Sequence, residues 1–213
     1  LVLVDEINRA PPKVQSALLE AMAEGQVTVG NTTHPLPAPF LVVATQNPIE
    51  HDGTFPLPEA QLDRFLLYVT LDLPDALTER RILDLVEEEG ATPKGAEARI
   101  TVEALRAERK AAMAVHLSDA LRDYIVRLVT ATRTGPLSDQ IEHAVSPRGS
   151  LSLAAAAKAR AHLKGRDYAI PEDVSELAPD ALAHRMVLTW RAVAEGRRSR
   201  DLVAEILATT DPL

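Results

Sequence analysis

The sequence starts on LVLVDE, and this hexapeptide constrains the fold more than any other stretch. Leu1 to Val4 form a continuous apolar run without alternation, short enough for a strand covered on both faces, as in the parallel sheet of an α/β domain. Asp5 and Glu6 then fall at the carboxyl end of that strand, the edge at which open α/β sheets bind ligands. Acids placed there can hold a magnesium ion and align a water, or they can simply cap the following turn. The dipeptide alone leaves both readings open.

Parallel strands need helical or long crossovers, and the next segments supply them. Pro11 and Pro12 can open a helix on which Val14, Ala17, Leu18, Ala21 and Met22 recur at helical spacing until Gly25. Gln26 to Val29 and Thr32 to Leu36 flank Gly30-Asn31, which suits a tight hairpin turn. Phe40 to Thr45 reads as a second strand ending at Gln46-Asn47-Pro48. A loop containing Gly53, Pro56 and Pro58 leads to a short helix from Glu59 and a third strand, Phe65 to Leu71. Beyond Leu73-Pro74 the spacing is helical: Leu77 to Glu89 ending at Gly90, Val102 to Val115, and a helix capped by Ser118 with Leu121, Ile125, Leu128 and Val129 on one face. Ser146-Pro147 opens an alanine-rich helix to Leu163, Pro171-Glu172-Asp173 another to about Arg185, and Ser199 caps a last one. The expected organisation is an α/β portion over residues 1–72 followed by an all-helical portion over residues 73–213.

Three further residues stand where chemistry is performed. Asn47 ends the strand neighbouring Glu6; its amide can orient water or touch a γ-phosphate, or serve only to start an Asn-Pro turn. Arg64, within LDRF, is either a transition-state cation or the partner of Asp63. Arg148, in SPRGS, puts a cation in the first turn of a helix, where the dipole is already partly positive. That placement costs up to about 1 kcal/mol unless a phosphate, or a local carboxylate such as Glu142, answers it.

Composition narrows the alternatives. Lys and Arg number 23 against 31 Asp and Glu, a net charge of -8, which argues against generic affinity for nucleic acid or anionic membranes. There is no cysteine, so disulfide and zinc-thiolate sites are excluded, and the six histidines lack metal-ligand spacing. No apolar run approaches the roughly 18 to 20 residues of a membrane span.

DEINRAPPKVQSALLEAM, ATQNPIE, PLPEAQLDRF and SPRGSL, with GRDY and PEDV further on, occur in that order and together resemble the MoxR group of AAA+ ATPases. The resemblance implies a parallel-sheet P-loop core with a small β-hairpin insert and then an all-α lid. It implies that Asp5 is the Walker-B ligand of Mg2+ through water, Glu6 the catalytic base, Asn47 the sensor-1 residue and Arg148 the sensor-2 arginine. Arg64 would be the arginine finger projecting into a neighbouring subunit. ATP and Mg2+ are the implied cofactors. The implied assembly is a homo-oligomeric, hexameric ring in the cytoplasm, remodelling or maturing client proteins, some carrying von Willebrand A domains. His51-Asp52 and Phe55 depart from the residues more frequent in the group. Two other readings are a non-enzymatic helical binding module and a magnesium-chelatase-like subunit.

The phosphate-gripping GxxxxGK[ST] loop does not occur in the chain. The resemblance therefore implies a C-terminal portion, from Walker B onward, of a longer protein. In the group's strand order, 5-1-4-3-2, the phosphate-loop strand lies between Phe40–Thr45 and Phe65–Leu71. Without it these two cannot pair, and each buried amide left unpaired costs about 1–3 kcal/mol. The α/β portion is expected to be unstable alone, the lid to survive, and residues 1–213 alone to lack tight ATP binding and turnover.

Overall fold

The computed structural model describes residues 1–47, 53–89 and 99–212. His51, Asp52 and Gly90 lie outside the described residues, and the Asn47-Pro48 turn is described only as far as Asn47.

Strand β1 (Val2–Val4) is followed by a 3-10 turn over Ile7–Arg9 and helix α1 (Pro12–Glu24). Pro12 sits in the first turn of α1, where its missing N–H costs nothing, and Gly25 ends the helix at φ 64° with its N–H on the Ala21 carbonyl. Strands β2 (Gln26–Val29) and β3 (Thr32–Pro35) form the hairpin in register, Val29 opposite Thr32, with Gly30 at φ 62°. Strand β4 (Val42–Ala44) then returns beside β1 in parallel, pairing Val2 with Val42 and Val4 with Ala44.

Two expectations for this portion need correction. The strand at Leu1–Val4 is not covered on both faces: Leu1 and Leu3 are 83% and 66% exposed, because the sheet has two strands and little packs against it. The third strand does not form either. After α2 (Glu59–Leu62), the chain bends at Phe65 and Leu66, residues 65–71 join no ladder among the described residues, and the Tyr68 N–H goes instead to the Asp180 carbonyl (2.8 Å). Strand character requires a neighbour, and the described residues supply none on either side.

The remainder of the chain is largely helical and comprises α3 (Ala76–Glu89), α4 (Val102–Ala114), α5 (Asp119–Thr134), β5 (Ile141–His143), α6 (Pro147–Leu163), α7 (Pro171–Ser175), α8 (Ala178–Leu182), β6 (Val187–Leu188), α9 (Trp190–Ala194) and α10 (Ser199–Thr209). Helix α6 is central, since its alanines let α4, α5, α7 and α8 approach closely; Leu153, Ala157 and Ala161 are fully buried. Leu128, Leu182 and Leu202 complete a core that lies almost entirely in this portion.

This portion also carries one short ladder, in stretches between the expected helices: β5 and β6 pair antiparallel, Ile141 opposite Leu188. The single helix expected from Pro171 to Arg185 is three short ones, α7, α8 and a 3-10 turn over Ala183–Arg185. Pro179 lacks the N–H that would continue α7. The last helix is capped at Arg198 rather than Ser199, with the Arg198 N–H on Asp201 Oδ2 (3.3 Å), while Ser199 Oγ donates to the Met186 carbonyl (3.3 Å). One buried carboxylate ties the end of α6 to α7: Asp173 accepts from Arg160 (2.7 Å), Arg166 (2.6 and 2.7 Å) and the Ile170 N–H (2.9 Å). Burial works against its charge, but the hydrogen bonds from Arg166, Ile170 and Arg160 prevail and hold Asp173 down at about 2.

Candidate functional site

The parallel register of β1 and β4 places Asp5 beside Thr45, and Thr45 organises the edge. Its hydroxyl donates to Asp5 Oδ1 (2.6 Å) and accepts from the Glu6 N–H (2.9 Å), while its carbonyl accepts from the Ile7 N–H (3.0 Å). The turn this creates puts Glu6 at φ 48°, ψ 57°, and among the described residues Glu6 alone of the non-glycines has positive φ. A left-handed glutamate costs about 1–2 kcal/mol, so the surrounding hydrogen bonds hold it there. Its carboxylate pairs with Arg9 (2.8 Å).

Asn47 lies beyond the end of β4, in the segment that leaves the same edge, its carbonyl 3.5 Å from Asn8 Nδ2. Beneath the turn, buried Gln15 donates from Nε2 to the carbonyls of Ile7 (3.2 Å) and Phe55 (2.9 Å), fastening α1 and the following loop to the acidic turn. Neither Thr45 nor Gln15 was singled out by sequence reasoning. Thr45 was findable as the register partner of Asp5; Gln15 carries no signal beyond being a polar residue near the apolar face of α1.

A second group lies where the loop after α2 meets the lid. Asp63 does not pair with Arg64. Its carboxylate accepts from Arg185 Nε (3.0 Å) and from Ser146 Oγ (3.2 and 3.0 Å), with Arg148 Nη1 at 3.6 Å. The carboxylate facing Arg148 is thus Asp63 rather than Glu142. Arg64 is exposed, and among the described residues its guanidinium takes no partner. Arg185, its side chain 1% exposed, also donates to the carbonyls of Asp63 (3.1 Å) and Phe65 (2.6 Å) and to Ser152 Oγ (2.9 Å). Nothing in the sequence linked residues so far apart in the chain. Beside it, His184 stacks on Tyr68 at 5.9 Å, and burial first, then the Arg185 charge, push it down to about 4, so the ring is neutral near pH 7.

The structure therefore brings Asp5, Glu6 and Asn47 to one edge, and Asp63, Arg64 and Arg148 to one junction. No hydrogen bond or ion pair joins Arg64 or Arg148 to Asp5 or Glu6. Between edge and lid lies a cavity of about 330 Å3, with Gln46 on one side, Tyr68 and Thr70 on another, and His184, Arg198 and Arg200 from the lid.

The donor set can be tested against a nucleotide-bound magnesium ion. Among the described residues no group of three or more His, Asp or Glu gathers to form a metal cage. Magnesium does not require one, since it keeps its waters and takes one or two carboxylates with the phosphates. Exposed Asp5, with one oxygen steadied by Thr45, fits that role.

Adjacent acids at the end of a parallel strand, a hairpin ahead of the neighbouring strand and a helical lid define the AAA+ class of ATPase fold. The family described as "ATPase family associated with various cellular activities (AAA)" matches residues 1–67, and the "AAA lid domain" matches residues 137–206. Among curated relatives, the chaperone MoxR1 of Mycobacterium tuberculosis is 45% identical over 214 residues, covering 98% of this chain and 56% of its own length. The uncharacterized protein YeaC of Bacillus subtilis is 46% identical over 208 residues, covering 98% of this chain and 64% of its own. A crystal structure from Cytophaga hutchinsonii, described there as a candidate ATPase, superposes with TM-score 0.90 at 40% identity, over 98% of this chain and 65% of that one. The chain belongs to the MoxR family of AAA+ ATPases, and it spans between about half and two thirds of the length of these relatives.

Proposed function

We propose that this chain supplies the Walker-B edge, the finger loop and the lid of a MoxR-type ATPase that binds ATP with Mg2+ and couples hydrolysis to remodelling of client proteins. The carrying observation is the Asp5–Thr45–Glu6 arrangement, in which one threonine fixes both acids at the end of a parallel strand. Asp5 would hold magnesium through water. Glu6 takes the proton of the attacking water, which requires its carboxylate to leave Arg9. Asn47 orients that water. Arg148 answers phosphate charge from the first turn of α6, and Arg64, exposed and unpartnered among the described residues, reaches a neighbouring subunit.

The proposal further takes residues 1–72 as the core portion, residues 73–213 as the lid, a hexameric ring in the cytoplasm, and clients that include von Willebrand A proteins, and the likeness to MoxR chaperones supports that reading. Among the described residues no helix is long and apolar enough to cross a membrane. The phosphate grip is the missing contribution, so residues 1–213 alone are expected to bind Mg·ATP weakly and not to turn it over. A polypeptide of this sequence that also carries a GxxxxGK[ST] loop should hydrolyse ATP, and Glu6→Gln or Arg64→Ala should lower its rate at least 100-fold. Unchanged rates in either variant, or tight magnesium-dependent ATP binding by residues 1–213, would remove this assignment.

A further inference from the structure

The junction between loop and lid carries more than the assignment of its two arginines. Asp63 immediately precedes Arg64, in a turn where the Arg64 N–H bonds the Gln61 carbonyl (3.1 Å). The same carboxylate receives the hydroxyl of Ser146, which is the N-cap of α6 and itself accepts the Arg148 N–H (3.2 Å). A hydroxyl has one proton to give, so with Asp63 taking it the lone pairs are turned toward the helix, and the start of α6 is fixed to the turn bearing Arg64. Buried Arg185 locks the acid from below, binding both its side chain and its backbone carbonyl.

Charge counting adds a direction. One carboxylate faces two guanidiniums and cannot answer both fully. Arg185 has the 3.0 Å contact and the buried position; Arg148, 52% exposed, stands off at 3.6 Å. Arg148 is the incompletely answered cation, and phosphate oxygens would compete for it without disturbing the Asp63–Arg185 lock.

Resting on the function proposed above, we infer that Asp63 is a positioning residue that mechanically couples Arg148 to Arg64, so that phosphate engaged by the lid of one subunit sets the finger offered to the next. The coupling runs through one hydroxyl and one carboxylate, without requiring movement of the lid core.

Hydrogen exchange tests this in two arms. In residues 1–213 without nucleotide, Asp63→Asn keeps an acceptor for Arg185 and Ser146 but removes the charge. Protection of the Arg64, Phe65 and Arg148 amides should fall together, by about tenfold, with α5 and α10 unchanged, and Asp63→Glu should restore part of it. Loss at only one of the two segments, or at neither, overturns the coupling, and so does global loss in both variants. In the ATPase that carries the phosphate loop, a non-hydrolysable Mg·ATP analogue should alter exchange at both Arg148 and Arg64 in the wild type, but at Arg148 alone in Asp63→Asn. An Arg64 response that persists in Asp63→Asn refutes the inference by itself. If instead Glu6→Gln leaves turnover intact, it is the underlying functional reading that fails.

Discussion

The lid's stability, and with it the placement of Arg148 at the start of α6, is predicted to depend on Asp173 at the far end of that helix. Its carboxyl titrates at about 2 against an ordinary 3.8. Nearly two units at 1.36 kcal/mol each amount to about 2 kcal/mol of stability contributed by the ionised form. Because the folded value is depressed, that contribution is complete above about pH 4 and is lost as pH falls toward 2. Asp173→Asn removes the charge and turns an amide NH2 toward two guanidiniums. Breaking a buried pair costs about 3–5 kcal/mol, but Arg160 and Arg166 each retain one fifth of their exposure and Arg160 keeps Glu176, so about 3 kcal/mol is expected at pH 7. Urea unfolding of both proteins at pH 7, 5, 3 and 2.5 measures this, and other carboxylates cancel in the difference between them. A loss below 1 kcal/mol at pH 7, or a difference that does not shrink below pH 4, refutes the reasoning.

Thr45→Val deletes the hydroxyl shared by Asp5 and the Glu6 N–H at a cost of about 1 kcal/mol, so the Glu6 amide should exchange about fivefold faster; unchanged exchange would mean that the turn is held otherwise. Gly149→Ala would set a Cβ 2.2 Å from Val145 Cγ1 and 3.2 Å from Leu182 Cδ2, so thermal unfolding should show a loss of about 1–3 kcal/mol, and a change under 0.5 would contradict the packing. Residues 73–213 should unfold cooperatively on their own, though less stably because Arg185 loses Asp63, whereas residues 1–72 should give no cooperative transition by calorimetry; the reverse outcome would overturn the division of the core.

Elements whose signals are local were legible in the sequence. Helix α1 is bounded by Pro12 and Gly25, the hairpin turns on Gly30, and Ser118 and Ser146 accept the N–H groups of Leu121 and Arg148 as caps should. Elements that depend on a partner were not. Phe65 to Leu71 has strand composition, but an apolar run states what a segment is able to pair with, not that a neighbour is present. The same holds for Leu1 and Leu3, apolar yet exposed. Strands β5 and β6, two or three residues long, are too short for alternation to register, and the helical spacing from Pro171 to Arg185 masks the break that Pro179 makes in it. For the site, the acids and Asn47 followed from strand ends. Asp63's true partner, Arg185, is 122 residues away and has no sequence signature.

Magnitudes decide what holds Glu6 in its left-handed conformation. The ion pair with Arg9 joins two partly exposed side chains, one third and one half accessible, and such pairs contribute about 0–1 kcal/mol. That is less than the roughly 1–2 kcal/mol that the backbone conformation costs. The offsetting terms are hydrogen bonds to the backbone groups of the turn: Glu6 N–H to Thr45 Oγ1, Ile7 N–H to the Thr45 carbonyl, Arg9 N–H to the Glu6 carbonyl, and Gln15 Nε2 to the Ile7 carbonyl. The carboxylate can therefore exchange Arg9 for a water at little cost while the backbone that aims it stays in place. The base role proposed for Glu6 asks for a group fixed at its Cα and free at its carboxyl group, and a strained turn pinned through its amides meets both requirements.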